Sequence, residues 1–177
     1  MKLVGEIIGI LGIIVNFLIY QQKERKKVLK VKLLSDITWS LHYGLLTAFS
    51  GMAVTLVGVA RETTFILTDN KERKRKYFLI AFAIIACITS ALTMKDIFGL
   101  LPACASLIAV FSYWQQNPTT TKIFGIPISL TMLIYDVMRF SVMGMANEIF
   151  TLISISIWLI ISPIVNSGRL TLASEEY

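Results

Sequence analysis

Apolar runs long enough to cross a bilayer follow one another along almost the whole chain, at about 3–20, 31–46, 49–68, 77–93, 97–114, 123–140 and 145–164. Each approaches the length of helix needed to cover roughly 30 Å of hydrocarbon. The second run is the weakest, since it carries Asp36, Thr38, Ser40 and His42. It counts as a span because without it the basic segments at 21–32 and 69–76 fall on opposite sides of the membrane. The pattern therefore predicts an all-α integral membrane protein with seven transmembrane helices.

Two echoes at nearly one offset organise these helices. Phe17-Leu18-Ile19-Tyr20-Gln21-Gln22 ends the first run, and Phe111-Ser112-Tyr113-Trp114-Gln115-Gln116 ends the fifth. Gly51-Met52-Ala53 in the third recurs as Gly144-Met145-Ala146 before the seventh. Three helices reverse the side of the chain, so one linker helix is required if a second triple is to run parallel to the first. The expected plan is 3+1+3: a first three-helix repeat at 1–69, a linker helix at 70–96, a second repeat at 97–166 and a cytoplasmic tail at 167–177. Parallel repeats related by an axis along the membrane normal are a known transporter plan.

Composition agrees, with 55% apolar and 16% charged residues, against roughly a quarter charged in soluble domains. The net charge of +6 raises the question of nucleic acid, and the placement of the basic residues argues against it. Lys23, Arg25, Lys26, Lys27, Lys30 and Lys32 follow the first run, and Lys71, Arg73, Lys74, Arg75 and Lys76 follow the third. Such clustering is a topology signal, placing both segments and the acidic tail in the cytoplasm and the N-terminus outside. Lys2 precedes an apolar stretch without a small-residue cleavage site, which reads as a first membrane helix rather than a signal peptide. Cys87 and Cys104 lie inside apolar runs without ligand-spaced neighbours, so neither a disulfide framework nor a metal site is expected.

Short motifs carry a family likeness. Leu41-His42-Tyr43 with Leu45-Leu46, Ala60-Arg61, Leu100-Leu101-Pro102 and Leu133-Ile134-Tyr135 resemble the YgjV family of bacterial inner-membrane proteins. The wider arrangement resembles the PQ-loop superfamily, which includes the SWEET sugar transporters and the PnuC vitamin transporters. The chain departs from that superfamily's signature at Tyr20-Gln21 and Trp114-Gln115, where the proline is missing, and at Gly58 and Ser154, where asparagines are common. The resemblance implies a multi-pass protein of the bacterial inner membrane and solute transport.

Polar side chains are costly in lipid, and those retained are usually interior or functional. Here they are Asn16, Asp36, His42, Arg61, Glu62 and Asp136, with Tyr43 and Tyr135 beside them. Small residues one turn apart, Gly5, Gly9, Gly12 and Asn16 in one helix and Gly51, Thr55, Gly58 and Glu62 in another, allow close helix packing. The second stripe turns Glu62 inward, while Arg61, about 100° around the helix, is expected to snorkel outward. Asp36 and Arg61 lie at equal depth and are expected to pair. The repeat offset maps His42 onto Tyr135 and Tyr43 onto Asp136, so these four are expected to line a solute cavity, with Asn16 and Trp39 nearby. Asp136 would supply a charge or proton site, His42 a titratable donor, and the tyrosines stacking surface. The competing reading makes the same residues hydrogen-bond glue between helices. Pro102 and Pro127 read as helix-start or kink residues. No paired catalytic carboxylates, metal motif or phosphate loop is present, so neither an enzyme nor a cofactor is expected. The expected function is a carrier for a small polar or zwitterionic solute, with a non-transporting assembly factor or sensor as the alternative. The partners are the bilayer and the solute, with homo-oligomerisation left open.

Overall fold

The lysine-rich segment after the first apolar run is helical rather than a loop. Lys and Arg are good helix formers, and Val28 and Leu29 turn into the core while Lys26, Lys27 and Lys30 face outward. In the computed structural model, which describes residues 2–47, 49–69, 71–94, 96–138 and 140–175, helix α2 accordingly starts at Arg25, six residues before the apolar run. The elements are α1 (Lys2–Ile19), α2 (Arg25–Leu45), α3 (Phe49–Leu67), α4 (Glu72–Thr93), a 3₁₀ turn (Ile97–Gly99), α5 (Leu100–Trp114), α6 (Pro118–Met138) and α7 (Val142–Glu175). Seven α-helices among the described residues match the seven runs, with boundaries moved by polar residues that helices tolerate. The segment expected as a tail from 167 continues α7 to Glu175, and residues 176 and 177 lie outside the described residues.

Four helical stretches have the length and apolarity of a membrane span: Arg73–Leu92, Ile97–Trp114, Pro118–Met138 and Val142–Ile161, with Leu3–Ile19 a shorter apolar helix. Charge is what separates the others. Helix α2 carries Lys32, Asp36 and His42 beyond its basic start, and α3 carries Arg61 and Glu62.

Connections of a few residues make sequence neighbours pack as antiparallel pairs. Helix α2 lies between α1 and α3, α6 lies between α5 and α7, and α4 rests on α5 and α3. Contact between α7 and α1 closes the ring. Glycines set the close approaches in the first triple: a methyl group at Gly9 or Gly12 of α1 would meet His42 or Trp39 at 2.8 or 3.1 Å, and one at Gly51 of α3 would meet the Tyr43 ring at 3.0 Å.

The two corners that turn α2 into α3 and α6 into α7 share an unusual backbone. Thr47 has φ 57° and Phe140 has φ 53°, a left-handed conformation that branched and bulky side chains rarely adopt. They stand 93 residues apart. The contact of Gly51 with Tyr43 recurs at the same offset, where Gly144 of α7 abuts the Asp136 carboxylate of α6.

Candidate functional site

Within the ring, helices of both triples and α4 surround a cavity of about 650 Å³. Asn16, Trp39, Tyr43, Tyr135 and Asp136 all line it, as do Asp36 and Arg61. His42 does not. Its Nδ1 lies 2.7 Å from the Gly5 carbonyl, and the ring is buried over Gly9 between α1 and α2. One residue along a helix rotates a side chain by about 100°, so Tyr43 faces α3 and the cavity while His42 faces α1. Trp39 joins the two as an aromatic cluster, with centroids 5.2 Å from His42 and 5.8 Å from Tyr43.

One part of the cavity wall is a charge cluster. Lys32 pairs with Asp36 one turn along α2. Arg61 does not reach Asp36 and does not snorkel outward. Its Nε and Nη2 donate to one oxygen of Glu62 at 2.9 and 2.8 Å, and Glu62 is 0% exposed. The expected Asp36–Arg61 contact is therefore replaced by two neighbouring pairs. The Tyr113 ring of α5 holds them together, with the Arg61 guanidinium 5.3 Å and the Lys32 ammonium 5.8 Å from its centroid. Both are within the range of cation–π attraction. Asp36 Oδ2 and Glu62 Oε2 accept no hydrogen bond.

A second part is acidic. Glu148 of α7 is buried and takes the Asn147 amide at 2.9 Å, with the Ser129 hydroxyl of α6 also facing its carboxylate. Asn16 donates to Asn147 at 3.0 Å and to Thr151 at 2.8 Å, tying α1 to α7. Asp136, also buried, has Ser141 beside it. Among the described residues neither Asp136 nor Glu148 has a basic side chain in contact. Glu148 and Asn147 were not picked out from the sequence because they stand in a strongly apolar run. The signal that could have found Glu148 is the offset of 93, at which Gly144, Glu148 and Thr151 correspond to Gly51, Thr55 and Gly58.

Further bonds tie α1 and α2 to the second triple. Arg25 forms an ion pair with Asp69 and donates to the carbonyls of Gln115, at 2.6 Å, and Tyr113, at 3.2 Å. Gln21 donates to the Ser154 carbonyl at 2.9 Å and its hydroxyl at 2.8 Å, and that hydroxyl donates to the Phe17 carbonyl at 2.6 Å. Lys122, buried near the start of α6, rests its ammonium 3.9 Å from the Trp158 ring centroid.

Apolar helices of spanning length around an interior lined with ionisable groups define an all-α membrane protein. The outer surface of the helices is largely apolar, with Leu3, Ile80, Ile88, Leu92, Ile134 and Ile160 among its exposed residues. Within that class the chain belongs to the Imp-YgjV family, described as bacterial inner membrane protein, whose family model matches residues 3–161. No curated protein and no solved structure shows significant similarity to the chain.

Proposed function

We propose that this inner-membrane protein is a carrier for a small polar or zwitterionic solute, working by alternating access between two three-helix halves, α1–α3 and α5–α7, joined by α4. The observation that carries the reading is the cavity, lined jointly by both halves and holding two buried carboxylates, Asp136 and Glu148, with no basic side chain in contact among the described residues. Unpaired charge inside a membrane is expensive, and where it is retained it usually marks a solute or ion path. Two halves of common plan are supported by the shared offset of 93 that relates Thr47 to Phe140 and the Gly51–Tyr43 contact to Gly144–Asp136. The bonds of Arg25 and Gln21 to α5 and α7 are those a closed end requires and an open end must release. The reading involves no catalytic step.

Purified protein in liposomes offered a mixed metabolite extract, with uptake followed by mass spectrometry, tests it. At least one solute is expected to accumulate through the wild type and not through Glu148→Gln. No protein-dependent accumulation overturns the carrier reading and favours a non-transporting role. Such a role has one feature in its favour, the direct Asn16–Asn147–Thr151 bonding between α1 and α7.

The proposed orientation has seven crossings, the N-terminus outside and both basic segments in the cytoplasm. Lys26 and Lys74 are exposed at the starts of α2 and α4. With the two native cysteines, Cys87 and Cys104, replaced by serine, a cysteine at either lysine position is expected to resist an impermeant maleimide in intact cells and react after lysis. Labelling from outside intact cells sinks the orientation.

A further inference from the structure

We infer that the solute carries an ammonium group, seated at Glu148 and Asp136 against the aromatic wall formed by Tyr43, Trp39 and Tyr135; the inference rests on the carrier reading above. Charge balance is the first argument. Lys32 and Arg61 are matched by Asp36 and Glu62, so among the described residues around the cavity Asp136 and Glu148 are two carboxylates in excess. A buried carboxylate without a cation is far more costly than one with a partner, and the described residues provide none in contact with these two. The cavity is where a partner has room to enter.

The second argument is independent of those two residues. Asp36 lines the same cavity, its side chain is 6% exposed, and its Oδ2 accepts no hydrogen bond. Polar atoms buried this deeply normally have a partner, so this part of the cavity wall is short of a donor. An ammonium supplies three N–H donors and one charge. The third argument is the wall. Tyr43 and Trp39 lie tilted against each other at the cavity, Tyr135 lines it, and aromatic faces attract organic cations by cation–π interaction. An inorganic cation gains little from such faces and needs far less than 650 Å³, so the geometry favours an organic amine.

The test uses the full-length protein in nanodiscs and its thermal unfolding midpoint, which rises with any ligand bound only by the folded state. Methylamine, pentylamine and tyramine are each compared with their N-acetyl counterparts, which lose the positive charge, and with sodium chloride at equal ionic strength. At least one amine is expected to raise the midpoint while its acetamide does not. The shift should vanish in Glu148→Gln and in Asp136→Asn and persist in Lys30→Ala, an exposed site remote from the cavity. The matched pairs on the wild type decide the question even if a variant fails to fold. Equal shifts by amine and acetamide, no shift by any amine, or the whole shift reproduced by sodium overturns the inference. Accumulation in liposomes of a solute without an ammonium group removes this inference and leaves the carrier reading standing. Amines that bind but are never transported do the reverse.

Discussion

Arg61→Met is expected to leave little folded protein in the membrane, while the double variant Arg61→Met/Glu62→Leu recovers it. Glu62 is fully buried, and among the described residues its hydrogen-bond donors are the two Arg61 nitrogens on one oxygen. Removing one partner of a buried ion pair typically costs about 3 to 5 kcal/mol, a large part of the roughly 5 to 15 kcal/mol that separates folded from unfolded states. Replacing both partners with apolar groups of similar volume is often neutral, because two desolvation penalties disappear with the one attraction. Monodisperse yield in size-exclusion chromatography and the thermal midpoint report both outcomes. A single variant as stable as the double would mean that Glu62 does not depend on Arg61.

Gly144→Ala is expected to destabilise the protein markedly more than Gly51→Ala, although the two positions stand at the 93-residue offset of the sequence echoes. Helix propensity alone favours alanine over glycine by about 1 kcal/mol at either site. Packing decides the sign. A methyl group at Gly144 collides with the whole Asp136 carboxylate, its Oδ2 at 2.6 Å, whereas one at Gly51 stands 3.0 to 3.1 Å from the Tyr43 ring. Overpacking of this kind costs roughly 1 to 3 kcal/mol, enough to reverse the propensity gain at Gly144. At Gly51 a few tenths of an ångström of ring movement suffices. Combining Gly144→Ala with Asp136→Ala should restore part of the loss by removing the colliding atoms. Equal midpoints for the two glycine variants would show that Asp136 swings away freely.

The helices were readable because lipid imposes a strong, local constraint, and seven runs became seven helices. The boundaries were less readable where charged residues begin a helix: nothing in the hydropathy of Lys26, Lys27 and Lys30 announces that Val28 and Leu29 between them are buried. Partner choice was the harder problem. Asp36 and Arg61 share a depth, but Lys32 sits one turn from Asp36 on the same helix face, and that spacing favours a pair once the helix is known to start at Arg25. Arg61 was expected to reach for the surface, yet its long side chain bends instead across Tyr113 to its neighbour Glu62. The placement of Arg61 does not follow from helical wheels alone, because it depends on where α5 lies. His42 and Tyr43 show the limit of an offset argument, which equates depths but not faces.

Thr47 and Phe140 hold more than a symmetry mark. A left-handed residue with a side chain stores of order 1 to 3 kcal/mol that the surrounding packing must sustain, and here the two stores sit at matching corners of the two triples. Each lies just ahead of the helix, α3 or α7, that brings Arg61 or Glu148 to the interior. The molecule thus carries a matched pair of sprung elbows. Relaxing either one would change the direction of the helix behind it. Glycine at both corners would unload the springs, so a protein that gains stability from Thr47→Gly and Phe140→Gly while losing the ability to change shape would show that the strain is held for movement.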